Sequence, residues 1–304
     1  MKVIMKRRDM KQSIADIKVD FSRFLYEEIG CSGRGTVSTC LRALDVLVEA
    51  LHQTKQTVPF LKNVWLIESP AILLKLYRFV TEQQHAYVAN KMNIFMDLKS
   101  GGRSYYKNRW CSAAVRHLAA YRQTRQYETA LQAVFENSSD GEKVSTRIKD
   151  VHLVNTACFV PENINPASKE GKEAVAVAKR RINQNVFRSW VINIYDNECC
   201  VSGLNVPEVL RASHIVSWAS DIANRMNPSN GLCLSATYDA AFDRHLISFD
   251  DDYRMILSKR IQDFCTRNVC AEYFKKYEGV RIKLPSRFLP DLGLLAKHRS
   301  FLVA

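Results

Sequence analysis

The sequence predicts an α+β protein, with an N-terminal all-α helical domain followed by an α+β domain. Three observations predict it. Apolar residues recur at helical spacing from about Phe21 to Phe135. A polar stretch with prolines and turn formers follows, between Asn137 and Gly171. Beyond it lie short β-rich runs around one long polar loop. The expected boundaries are 1–136 for the helical domain, 137–171 for a linker and 172–304 for the α+β domain.

In the first region, Val37, Leu41, Leu44, Val48 and Leu51 recur at three- and four-residue steps, one face of a helix. Ser32 to Gly35 supply the turn before it. Ser69 stands at a cap position, with Pro70 as the first helical residue. "YYKNRWCSAAVRHLAAYRQ" is a further helix, preceded by Gly101 and Gly102. "HLVNTACFV" is either a short strand or a tether that docks on one domain. "AVAVAKRRINQNVFRSWVINIY" opens the second half as a helix. Then come strand "EVLRASHIV", a long loop, strand "GLCLS", short helix "ATYDAAFDRH" and hairpin "LISFDDDYRMILS" around Asp250 to Asp252.

Lysine and arginine total 44 against 31 aspartate and glutamate, a formal net charge of +13. That surplus favours a polyanionic partner such as DNA. No charge-free apolar run reaches about 18 residues, so no membrane span is expected. The start, "MKVIMKRRDMKQ", lacks the apolar core of a signal peptide. Nine cysteines are scattered and never spaced C-x-x-C, which suits reduced thiols in a cytoplasmic protein better than a disulfide framework. Cys199, Cys200 and Cys233 are core residues in preference to a zinc knuckle.

Two strands packed on one short helix can hold a metal between them. Asp239 and Asp243 stand at i and i+4, so both carboxylates share one helix face. Hard oxygen ligands suit magnesium or manganese. His214, at the end of the first strand, is the candidate general base for a water that attacks a phosphodiester. Asn230, before Gly231, can brace the loop and orient the histidine ring. Arg211, Arg244, Lys179 and Arg180 are candidates for phosphate contact, as is the basic run Lys6 to Arg8. The alternative for each is an ordinary charged surface. His245, just past the helix, reads as a C-terminal charge partner.

"LRASHIVSW" followed by "NPSNGLCLSATYDAAFDRHLISFDDDY" resembles the HNH endonucleases, the ββα-metal nucleases, and within them a restriction-type subgroup whose motif ends in "FD". "RRINQNVFRSWVINIYDNECCVSGL" and "VRIKLPSRFLPDLGLLAKHRS" resemble the flanks of that subgroup. The resemblance implies a ββα-metal core with His214 as base, Asn230 as the central asparagine, Asp239 in the third motif position and Asp243 as a second ligand. It implies hydrolysis of DNA phosphodiester bonds with magnesium or manganese. The implied setting is bacterial restriction or anti-phage defence, with other components of such a system as partners and a homodimer as one way to cut both strands. Two positions depart from the pattern. Ser213 stands where a metal-binding aspartate or histidine often precedes the base. Tyr238, a packing residue by expectation, stands where the helix often offers histidine. The departures carry the rival expectation, a catalytically weak or inactive DNA-binding protein that keeps the ββα shape. RNA as target is a further alternative.

Overall fold

The computed structural model describes residues 13–30, 34–98, 102–161, 163–266 and 268–302. The predicted turn from Ser32, Gly101 and the basic run Lys6 to Arg8 fall wholly or partly outside them. The chain divides into two compact units. One comprises residues 1–126 and 153–178, the other residues 127–152 and 179–304. Among the described residues, no helix is long and apolar enough to cross a membrane.

The first unit is helical: α1 (Ile14–Glu27), α2 (Arg34–Gln53), α3 (Pro70–Val88), the short α4 (Arg103–Lys107) and the beginning of α5 (Trp110–Glu136). The predicted face of α2 turns inward. Leu44 and Leu51 are fully buried, and Val37, Leu41 and Val48 pack against the same core. That core also takes Phe21, Phe24 and Leu25 of α1 and Leu73 and Leu76 of α3. Ser69 caps α3 by accepting from the Ile72 backbone N–H, and Pro70 opens the helix. Polar side chains join the elements where they cross. Trp65 Nε1 donates to Asp45 Oδ1 at 2.9 Å, and Tyr121 Oη donates to Asp20 Oδ2 at 2.8 Å.

One sequence expectation changes here, and one open alternative is resolved. "YYKNRWCSAAV" is interrupted, because Arg109 adopts a left-handed conformation (φ 60°) between α4 and α5. "HLVNTACFV" is a tether and not a strand. It holds one 3-10 turn (Thr156–Phe159) and docks through Asn155 N–H to Gln123 Oε1 at 2.8 Å and Arg116 to the Ala157 carbonyl at 3.2 Å.

The second unit mixes helices and strands. After the end of α5 comes α6 (Gly141–Ile148), within the stretch expected as linker. Asp140 caps it, and Val144 and Ile148 are buried. The later part of α7 (Lys169–Ile194) leads to β1 (Leu210–His214), which pairs antiparallel with β2 (Gly231–Ser235), Ser213 opposite Leu232 and His214 opposite Gly231. Helix α8 (Ala236–Asp243) follows β2 without a break and packs on both strands. A second hairpin, β3 (Ile247–Phe249) with β4 (Met255–Leu257), turns at Asp250 to Asp252 as expected. Three short helices complete the unit: α9 (Lys259–Phe264), α10 (Asn268–Tyr273) and α11 (Leu292–Arg299). The α+β order of the sequence, helices first and the mixed unit after, is therefore present.

Candidate active site

The β1–β2 hairpin and α8 form one ββα arrangement. β2 is buried along its length, as an apolar run between two packed surfaces must be. Gly231 admits the side chains of α7, since a Cβ there would lie 2.5 Å from Val191 Cγ2.

His214 lies at the end of β1. Its ring stacks on Phe187 of α7, with centroids 3.9 Å apart, and meets the edge of Trp218 at 5.4 Å. Nε2 lies 3.1 Å from the Arg225 carbonyl oxygen. A carbonyl only accepts, so Nε2 carries the hydrogen and Nδ1 keeps the lone pair of the neutral ring. Burial holds the imidazole below its ordinary pKa, and the Arg225 bond partly opposes this. The ring is therefore neutral near pH 7 and has a basic nitrogen available.

Asn230 is fully buried and uses its whole amide. Its Oδ1 accepts from the Val216 N–H at 2.8 Å, and its Nδ2 donates to the carbonyls of Val216 and Asn224, each at 3.1 Å. These bonds fold the 216–224 loop against the strand pair, next to the Arg225 carbonyl that holds His214.

On α8, Asp239 is half-buried and Asp243 exposed. Ser213 donates its hydroxyl to Oδ1 of Asp239. The Asp243 carboxyl is raised above its usual range, first by desolvation and then by the negative charge of Asp239. A divalent cation would relieve both effects, and magnesium needs only one or two carboxylates beside water and phosphate oxygens. The chemistry of the donors, two carboxylates one helical turn apart, is of the kind such an ion takes. No group of three His, Cys, Asp or Glu side chains gathers as a ligand set among the described residues. His214 makes no hydrogen bond to either aspartate. Successive residues of a strand point to opposite faces, and Ser213 is the one that turns to α8.

Tyr238 is buried. Its hydroxyl donates to the Tyr273 carbonyl, and its ring meets Phe274 and Tyr277 edge-on at 5.7 and 6.0 Å. Arg211 bonds to the carbonyls of Glu208 (3.0 Å) and Leu210 (2.8 Å), and Arg244 to that of Ala240 (3.0 Å). Lys179 lies 5.9 Å above the Tyr127 ring, and Arg180 is exposed. None of these four cations forms a salt bridge among the described residues. Cys199, Cys200 and Cys233 are buried, and desolvation first of all pushes Cys233 up to about 12 and Cys200 well above its usual value. All three lie in the core, and Cys200 and Cys233 are neutral thiols. His245 ends α8 in a left-handed conformation (φ 53°) and packs against His298, centroids 4.5 Å apart.

Sequence reasoning did not find the Ser213–Asp239 bond, the Phe187 platform or the role of Arg225. The first sat in plain view as a departure from a pattern. The other two depend on contacts between segments far apart in sequence.

Residues 199–250, which hold β1, β2, α8 and β3, match the family model of the HNH endonucleases. The chain matches no curated protein. The ββα segment is thus similar to an HNH nuclease domain, which supports a nuclease-family function in general terms.

Proposed function

We propose that this protein engages DNA and hydrolyses its phosphodiester bonds slowly, as a weak HNH-type nuclease. The observation that carries the proposal is the fixed tautomer of His214. With Nε2–H spent on the Arg225 carbonyl, Nδ1 can take a proton from water. The resulting hydroxide attacks phosphorus, the P–O3′ bond breaks, and solvent returns a proton to the departing oxygen. Asp239 and Asp243, on the α8 side of β1, would hold magnesium or manganese for a phosphate lying across the end of the strand from the His214 ring, where the ion's charge would oppose that growing on the oxygen. Asn230 keeps the loop and hence the ring in place. The exposed Arg180, Arg211 and Arg244 and the half-buried Lys179 supply cations for the backbone phosphates.

Slow turnover follows from the ligand set. Ser213 replaces a charged ligand, and Asp239 is occupied by its hydroxyl. The same observation favours a second reading, a DNA-binding protein with no hydrolysis. A fully active restriction or anti-phage enzyme rests on the family resemblance alone. Incubating supercoiled plasmid with the protein separates these. Slow nicking with magnesium or manganese and none with chelator is expected. Retarded plasmid without any nicking selects the inactive binder. Rapid cleavage selects the restriction enzyme. A parallel single-stranded RNA substrate shows whether RNA is cut instead.

A further inference from the structure

We propose that α6 is a positioning element for His214, with Gly141 and Ser145 as its two contact residues. The proposal rests on His214 being the base suggested above, but the geometry stands without it. Helix α6 lies far outside residues 199–250, yet it packs on the loop that completes the histidine's surroundings. Ser145 is buried and donates its hydroxyl to the Ala223 carbonyl. Gly141 lies so close to Asn227 that a Cβ there would stand 2.0 Å from Asn227 Oδ1 and 2.8 Å from Ser229 Oγ. Its backbone is not left-handed, so glycine is required for space alone.

From these two contacts the bonds run directly to the site. Asn227 Nδ2 donates to Asn224 Oδ1 at 2.9 Å, and Asn227 Oδ1 accepts from the Ser229 N–H at 2.9 Å. The Asn224 carbonyl accepts from Asn230. The next carbonyl, that of Arg225, accepts from His214 Nε2. The Ala223 carbonyl held by Ser145 is thus two residues from the one that sets the tautomer of His214. The helix is itself tied down, because Arg287 donates to the carbonyls of Phe135 (3.1 Å) and Ser138 just before it. A histidine whose second nitrogen loses its fixed acceptor loses its tautomer and orientation.

The test uses the full chain with Ser145→Ala and Gly141→Ala. Ser145→Ala removes one hydroxyl without adding bulk, so it stays informative if Gly141→Ala fails to fold. The first readout is the ring-nitrogen NMR spectrum of His214, assigned by its loss in His214→Asn. Wild type should show the Nε2–H tautomer, and Ser145→Ala a mixture of both tautomers. The second readout is plasmid nicking, where kcat should fall roughly tenfold with KM nearly unchanged. An unaltered Nε2–H tautomer in Ser145→Ala, with only a lower melting temperature, would overturn the proposal. The spectrum needs no activity. A tautomer shift in a chain that never nicks therefore supports α6 as positioning element while removing the nuclease reading.

Discussion

The Ser213 hydroxyl donates to Oδ1 of Asp239, joining β1 to α8 where the negative charge of Asp239 bears on Asp243. Replacing Ser213 with aspartate would set a third carboxylate against this pair. Without divalent ions the repulsion should lower the melting temperature of Ser213→Asp. Millimolar magnesium should restore it, and raise the variant's transition by more than it raises that of wild type. Paired melting curves in chelator and in magnesium check this. Equal shifts in both proteins would mean that the ion is not held here.

His214→Ala should cut nicking by about two to four orders of magnitude, the usual contribution of a general base. DNA retention and the far-UV spectrum should hardly change. Wild-type rate should rise with pH through a value below the ordinary imidazole pKa of about 6.5 and stay flat above it, because burial depresses His214. A rate still climbing between pH 7 and 8 would point to a different base.

Asn230→Ala should lose stability on the order of 1–3 kcal/mol, since it leaves the Val216 N–H and two carbonyls without their buried partner. Urea unfolding measures the loss, and nicking should fall with it. A variant as stable and active as wild type would make Asn230 an ordinary turn residue.

These three side chains show how far sequence reaches here. The strand–loop–strand–helix order was legible because each piece has its own local signal: β-rich runs, an Asn-Gly turn and a short helical period. The i, i+4 aspartates follow from helix geometry alone. The tether 152–160 was ambiguous because nine apolar and polar residues fit a strand as well as a docked loop. The docking of α6 had no local signal at all. Gly141 looks like any turn glycine until Asn227, 86 positions on in the numbering, is placed against it. Likewise the His214 tautomer depends on the loop carbonyl of Arg225, and carbonyls carry no sequence signature.

Acid should destabilise the second unit through His298. This ring is buried against Phe242, and burial, aided by His245, pushes its pKa down to about 4. In the unfolded chain it titrates near about 6.5. Between these values the unfolded state binds more protons, so stability is present above about pH 6.5 and is lost as pH falls toward 4. Denaturant midpoints should drop across that window in wild type and drop less in His298→Gln. Identical pH slopes would exclude His298 as the cause.

The helix itself offers the sharpest comparison, because three of its side chains have distinct assigned tasks. Asp239 and Asp243 are proposed to share a cation, and each removes one positive charge from it. Asp239→Ala and Asp243→Ala should therefore both lose nicking at millimolar magnesium, with manganese partly rescuing one of them. Tyr238 is buried between Phe274 and Tyr277, and its hydroxyl serves the Tyr273 carbonyl. Tyr238→Phe should cost about 1 kcal/mol of stability, the net value of one hydrogen bond, and leave the metal dependence unchanged. Metal titrations of cleavage, with thermal melts on the same samples, distinguish the three. If Tyr238→Phe is inactive while Asp243→Ala cuts normally, Asp243 is no ligand, and the cation must lie on the other side of α8.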